Sequence, residues 1–500
     1  MRYLTLLPLV LLAGCKVGPD FHAPAAPAAS GYTPEPLPVS TASAPVHGGN
    51  AQRFVRNLNI PGEWWQLFHS QPLDRLVTQA FRANPDIASA QAALREAQEN
   101  LYAGQSGLFP SVGAGVQAER EAVSGVALGL PGRSFTLNLA TAQLNVGYVP
   151  DVFGGTRRQI ESLAAQAEYQ AFELEASYLT LSSNVVATAV QEASLRGQIA
   201  NTEQTIQVET QALHLIEQQF QVGATPKSNV LQQQATLAQT RANLPPLQRQ
   251  LAQSRNQLAR LIGQFPSQPV DADFKLASLQ LPQDLPVSLP SNLVRQRPDV
   301  RAAEAQLHAA SANLGVAIAN QLPQFSITAA LGGEAHGFAA LFQPGSLIWS
   351  AVGSVSQKLF DAGQLAHKKR AAVAALDQAA AQYRSTVLTA FQNVADALRV
   401  LQSDADALRA QSEAERAAFA SYNLAQEQFK LGAIDYLTLL NAERTWDNAR
   451  VRLVQAQANR FADTAALFQA LGGGWWQRRD VPPAPPADHL TPPLVSAVSR

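Results

Sequence analysis

Phe220-Gln221-Val222-Gly223-Ala224 and Phe429-Lys430-Leu431-Gly432-Ala433 are one five-residue pattern written twice, 209 residues apart (429 − 220). The same offset carries Gly263 onto Gly472. Upstream, Asn84-Pro85-Asp86-Ile87 returns as Arg297-Pro298-Asp299-Val300 at an offset of 213 (297 − 84), which also carries Phe109-Pro110 onto Leu322-Pro323. Anchors that recur in one order at near-constant spacing mark a tandem duplication of about 210 residues. The drop from 213 to 209 places the length difference between the Pro and the Phe-x-x-Gly anchors. The two copies are read as residues 60–275 and 276–474.

Within each copy the hydrophobic period changes. Residues 73–106 read as helix, broken at Asn84-Pro85 because proline lacks an amide proton and disfavours the helical region for the residue before it. The period then falls to two, giving a strand at about 111–122, where Val112, Ala114, Val116 and Ala118 alternate with small and polar residues. A second strand at about 134–149 has Phe135, Leu137 and Leu139 on one parity and Leu144, Val146 and Tyr148 on the other. That switch predicts a β-bulge near 140–142. The second copy repeats the strand pair at about 324–333 and 346–359.

Each strand pair leads into a proline-free helix of about 65 residues, a rod of roughly 100 Å. Ile199, Ile206, Leu213 and Phe220 recur every seven residues, and Tyr383, Val387, Ala390, Val394, Ala397 and Leu401 step by four and three. This is coiled-coil spacing. Gly223 and Gly432 stop the rods, and return helices run from about Lys227 to Ile262 and from Asp435 to Leu471. Pro245-Pro246 is expected to interrupt the first of them.

Composition is unusual for a set of globular domains: the surface is polar but uncharged. The 500 residues include 87 Ala and 50 Gln but only 15% charged residues, with a net charge of −1. Ala lets helices approach closely, and Gln keeps surfaces wet without fixed charge. No basic footprint for nucleic acid is present, and a single Cys excludes a disulfide framework. That residue, Cys15, closes Leu12-Ala13-Gly14-Cys15 after Arg2 and a short apolar stretch, which reads as an export signal over 1–14. The tetrapeptide resembles the bacterial lipobox, which implies diacylglycerol and N-acyl chains on Cys15 and a chain of 486 residues (500 − 14). Residues 15–59, rich in Pro and Ala, are expected to run extended over the rest, and 475–500 form a Pro-rich tail.

Strands with one apolar face and aromatic ends match outer-membrane barrel strands. Four cannot close a barrel, because about eight is the smallest number that does. Since unpaired backbone is not tolerated in hydrocarbon, either two or more chains contribute strands to one barrel or there is no barrel.

Pro61-Gly62-Glu63-Trp64-Trp65-Gln66-Leu67-Phe68, Pro72-Leu73-Asp74, Asn84-Pro85-Asp86, Cys15-Lys16-Val17-Gly18-Pro19-Asp20-Phe21 and the two Phe-x-x-Gly turns resemble the TolC-like outer membrane factors, in particular the NodT subfamily of efflux lipoproteins. The resemblance implies a mainly α fold with a membrane β-barrel: a homotrimer with twelve strands in the outer membrane of a Gram-negative bacterium, continued by an α-helical barrel through the periplasm. It implies the exit duct of a tripartite pump, working with a periplasmic adaptor (membrane fusion) protein and an inner-membrane transporter, typically of the RND type. It also implies that the tips at Gly223, Ala224, Gly432, Ala433 and Asp435 meet the adaptor.

The segment from Gly432 to Arg444 resembles that family's constriction motif. Leu437, Asn441 and Arg444, spaced four and three apart, share one helix face, and copies around an axis would stack apolar, amide and guanidinium rings. Members of the family often carry Asp where this chain has Asn441, which removes a ring of negative charge. No catalytic or metal-binding pattern appears: the eight His are scattered, and neither Gly-x-Ser-x-Gly nor a P-loop is present. No cofactor is expected beyond the lipid. The rival reading, a lipid-anchored periplasmic coiled-coil adaptor or scaffold, accounts for Cys15 and the rods but not for four alternating strands placed alike in two copies.

Overall fold

A computed structural model describes residues 16–29, 31–124, 126 and 134–478. The first copy contributes α1 (Gln71–Ala83), α2 (Pro85–Gln105), β2 (Ser111–Ser124), β3 (Ser134–Tyr148), α3 (Gly155–Gln221) and α4 (Lys227–Leu261). The second contributes α5 (Pro290–Gln296), α6 (Pro298–Ala319), β5 (Gln324–Ala335), β6 (Leu347–Ser356), α7 (Gln364–Lys430) and α8 (Tyr436–Ala470). The rods α3 and α7 each have 67 residues and the return helices α4 and α8 each have 35. First strands start 213 apart (324 − 111) and rods 209 apart (364 − 155), so the four-residue difference lies within the strand hairpins. No described helix is long and apolar enough to cross a membrane.

Asn84 shows how the chain is cut into pieces. Its side-chain oxygen accepts from Asp86 N at 2.8 Å, capping α2, while its Nδ2 donates to Leu261 O at 2.9 Å, at the end of α4. The residue is buried, so both bonds are shielded from water. Asn84→Ala removes a cap and orphans a carbonyl; the expected loss is about 2 kcal/mol, read as a lower denaturant midpoint.

The strands form one antiparallel sheet in the order β2-β3-β5-β6, with β2 and β6 as open edges. Pairing places Val112 opposite Val146, Ala114 opposite Leu144, Leu144 opposite Leu331 and Leu331 opposite Trp349. One face is therefore apolar across all four strands, and Val112, Val116, Leu144, Leu331 and Trp349 on it are exposed. The other carries Ser111, Gln117, Gln143, Asn145, Ser326, Thr328 and Ser354.

The expected bulge does not occur. The β2–β3 register is unbroken from Ser111↔Gly147 to Ser124↔Ser134. β5 covers β3 only from Ala140 to Tyr148, so residues 134–139 extend past the sheet with β2 alone. There Arg120, Ala122, Asn138 and Thr136 occupy the face that is apolar lower down. The parity switch marks where the hairpin leaves its apolar belt.

The helices repeat the sheet's order. α2 packs on α3, α3 on α6 and α6 on α7, with α4 and α8 folded back along α3 and α7. The result is a four-helix ribbon edged by α2 and α7, beneath a four-stranded sheet edged by β2 and β6. Pro245 and Pro246 do not interrupt α4, which passes through both. The carbonyls they leave without donors belong to Arg241 and Ala242, exposed residues whose backbone water can satisfy.

The main core sits midway along the rods, where Trp64, Phe68, Phe461, Phe468, Leu258 and Leu293 are buried together. Two glycines close it in parallel. Gly263 (φ 73°) and Gly472 (φ 94°) lie against the carbonyls of Ala83 and Gln296, where a Cβ would stand 2.2 and 2.4 Å from the oxygen.

The N-terminal segment runs over α7 and α8, its Thr41, Asn50 and Gln52 accepting from the buried Arg460. It also supplies β1 (Arg53–Arg56), which pairs in parallel with β4 (Asp284–Val287), a pairing with no counterpart in the sequence reading. Its start is held where β3 meets α3. Val17 N donates to Phe153 O, and fully buried Arg158 donates to Val17 O, Gly18 O and Asp20. Cys15, the export signal and the tail beyond Arg478 lie outside the described residues.

Candidate conduit and gate

One face of the helical ribbon holds a groove of about 920 Å³ reaching from α2 to α7, lined by residues such as Ala97, Asn100, Gln166, Ala302, Gln306 and Gln382. Among its described lining residues the charged ones are Glu96, Glu173 and Asp299, all acidic. Burial, and then the nearby Asp299 charge, raise the Glu173 carboxyl. The groove is mostly neutral and polar, as the Ala and Gln content implies.

At the far end the rods turn in matching geometry. Ala224 N donates to Gln219 O and Gly223 N to Phe220 O; Ala433 N donates to Gln428 O and Gly432 N to Phe429 O. This is the Schellman arrangement, and Gly223 (φ 76°) and Gly432 (φ 70°) take its left-handed position. No atom of the described residues lies within 4 Å of a Cβ placed on either, so backbone conformation selects glycine there. Gly223, Ala224, Gly432, Ala433 and Asp435 are all exposed, beside the exposed apolar Val222 and Leu431. Asp435 caps α8 by accepting from Thr438 N at 2.9 Å and from the Thr438 hydroxyl, contacts that hold its carboxyl below the ordinary range.

Past the second turn α8 divides into two faces. Leu437, Asn441 and Arg444 are all exposed, with Leu437 at 47%. A core position for Leu437 in this chain's own coiled coil is thereby excluded. A second face, about a quarter turn round the helix, carries Tyr436, Leu440 and Glu443, all buried, and packs toward Ile216 and Val230. The Tyr436 hydroxyl donates to Gln233 Oε1, and Gln233 Nε2 donates to Glu209 O at 3.0 Å.

Behind the exposed triplet lies an acidic cluster absent from the sequence reading. A polar cavity of about 350 Å³ between α3, α4 and α8 is lined by Thr205, Glu209, Thr240, Arg444, Asp447 and Arg450, among others. Glu443 is pushed up to about 7 by burial and then by the charges of Asp447 and Glu209. Burial also raises Glu209 and Asp447, against bonds to each from Thr240 and Thr205 at 2.9 Å. The available signal was Tyr436, Leu440, Glu443 and Asp447 stepping by four, three and four, which puts carboxylates on an apolar seam. No group of described residues has the makings of a metal site.

An edge-open sheet with one apolar face, continued by an edge-open ribbon of rods, defines a subunit of a membrane-spanning tube. The chain belongs to the outer membrane efflux protein family, whose profile matches residues 76–264 and 289–473. It is 30% identical to the toluene efflux pump outer membrane protein TtgF of Pseudomonas putida over 491 residues, 95% of this chain and 97% of that one. The pyoverdine export outer membrane protein OpmQ of the same species is 28% identical, with 95% of this chain and 98% of the relative covered. Among solved structures the outer-membrane channel OprN matches with a TM-score of 0.82 at 28% identity, covering 92% of this chain and 100% of that one.

Proposed function

We propose that the protein is the outer membrane exit duct of a tripartite efflux pump, passively conducting small toxic compounds from a periplasmic adaptor and an inner-membrane transporter to the outside. The observation that carries this is the matched pair of open ribbons, strands β2-β3-β5-β6 over helices α2-α3-α6-α7. Neither can close alone, and both close together when copies are placed around an axis. Three copies give twelve strands, enough for a barrel with an open lumen. The apolar sheet face then meets lipid, and the polar face and the Ala/Gln groove line the passage. The chain is a conduit and not an enzyme; energy comes from the transporter. Its similarity to relatives named for toluene and for pyoverdine supports a duct that takes its substrate range from the pump behind it. The exposed tips around Gly223 and Gly432 are the adaptor contact, and Leu437, Asn441 and Arg444 form the periplasmic gate.

Lipid on Cys15 is a second anchor in this reading. The clamp on Val17, Gly18 and Asp20 holds the chain start at the sheet-to-rod junction, at the level of a membrane surface. The sheet supplies the first anchor, so Cys15→Ala is expected to remain membrane-inserted as a heat-resistant oligomer, assayed by carbonate extraction of outer membranes. A folded, fully soluble variant would favour the periplasmic scaffold instead. Purified protein is expected to conduct ions in planar bilayers, and a silent bilayer at saturating protein would end the duct reading.

A further inference from the structure

Within one chain, α3 follows β3 and packs against α6, which precedes β5. Repeat symmetry extends this seam beyond the chain. α7 follows edge strand β6 and α2 precedes edge strand β2, so they stand to each other as α3 stands to α6, but at opposite edges of the ribbon. We propose that α7 of one copy packs on α2 of the next in the register of the α3–α6 seam, and that Arg370 pairs there with Glu99 of the neighbouring copy. The inference rests on the oligomeric duct reading and adds the contact itself.

The register follows from contacts within the α3–α6 seam. Gly155 abuts Ala319, with a Cβ on the glycine 3.1 Å from the alanine Cβ; Arg158 crosses Gly315; Glu161 meets His308 at 3.0 Å. Adding 209 to the α3 residue and subtracting 213 from the α6 residue gives Gln364 on Ser106 and His367 at Tyr102, which brings Arg370 level with Glu99 in the antiparallel seam; the side-chain contact Glu161–His308 maps to Arg370 and Arg95, one turn further along α2. Glu99 lies on the same face of α2, between Tyr102 and Arg95, and so falls beside Arg370. Two turns further along α7, Asp377 comes within reach of Arg95. All four side chains are exposed in the single chain, and none has an ion pair among the described residues. The first-copy residue equivalent to Arg370 is Glu161 (370 − 209), which is already paired within the chain with Lys16, Arg158 and His308. Charge left unmatched at one edge is complemented at the other, as a closing ring requires.

Two measurements test the seam on the full-length protein in outer membranes. Ser106→Cys with Gln364→Cys is expected to give a disulfide-linked ladder ending at the closed oligomer, because the equivalent Cβ separation of 3.1 Å needs to open by only a few tenths of an ångström to meet the roughly 3.5–4.5 Å of a disulfide. Each single variant should give none. Arg370→Glu is expected to lower the fraction of oligomer surviving in detergent at a fixed temperature by about tenfold, since it sets like charges together; adding Glu99→Arg should restore most of it. An oligomer that forms normally but yields no ladder, or no rescue by the double reversal, overturns the register and leaves the duct reading intact. Unmodified chains that run only as monomers after amine-reactive crosslinking overturn the duct reading itself.

Discussion

Replacing Leu437 by Ser together with Asn441 and Arg444 by Ala is expected to raise single-channel conductance in planar bilayers several-fold. The expectation comes from the division of α8 into a buried face held by Tyr436 and Leu440 and an exposed face on which Leu437 stands outside the buried core cluster. Exposed Leu, Asn and Arg one turn apart, repeated around an axis, narrow a passage by dewetting at one level and by hydrogen bonding at the next. The triple change removes side-chain volume from three successive levels and leaves the buried face untouched, so the rods should keep their fold. Arg444 also lines the cavity containing Glu209 and lowers that carboxyl's affinity for a proton. Arg444→Ala alone therefore mixes a wider opening with a more readily protonated Glu209, whereas Leu437→Ser alone isolates the apolar ring. Unchanged conductance in the triple variant, with the oligomer intact, would place the constriction elsewhere along the tube.

How far the sequence could be read depended on whether a signal was local. The two Phe-x-x-Gly turns and the two Pro-Asp helix starts are short-range, and the elements they bound lie close to where spacing puts them: α3 at Gly155–Gln221 and α8 at Tyr436–Ala470. Two local signals misled because context decided them. Pro245-Pro246 is a strong breaker, but the carbonyls it frees face water and cost little. The parity switch in β3 has the form of a bulge, yet it records a change of surroundings along a straight strand. The β1–β4 pair joins residues more than 200 positions apart in strands of four residues, too short for periodicity to register. The acidic cluster was hidden for a related reason: Glu209, Glu443 and Asp447 come from two helices, and separately each resembles a solvated residue on a polar rod.

That cluster is expected to make the rods near the proposed gate sensitive to pH. Glu443 is coupled to Glu209 on α3, Tyr422 on α7, and Tyr436 and Asp447 on α8, while Arg241 on α4 and Arg444 on α8 act on Glu209, and Arg450 on α8 acts on Asp447. Burial and the neighbouring carboxylates raise its pKa from 4.5 to about 7 in the folded chain. For an acid so raised, the folded state binds the proton more tightly than the unfolded state does. The stabilisation is fully present below the unfolded value near 4.5 and is lost as pH rises through about 7. Ionising a buried carboxyl this far above its ordinary range costs about 3 kcal/mol per copy once pH exceeds the folded value. Glu209 and Asp447, raised by the same burial, act in the same direction. Glu443→Gln keeps the shape and fixes the neutral form. It is expected to leave stability at pH 5 nearly unchanged, to raise it at pH 8, and to flatten the curve between. Hydrogen exchange of the amides in the first turns of α8 reads the effect where it arises, with protection at pH 8 higher in the variant than in the parent after correction for intrinsic rates. Equal protection in the two proteins at pH 8 would mean that Glu443 ionises without cost, and that the cavity admits enough water to solvate it. In the assembled duct the same loss of packing lies directly behind Leu437 and Asn441, so the parent channel is expected to open more readily above pH 7 than at pH 5. The Gln variant should lose that difference while keeping its conductance at pH 5.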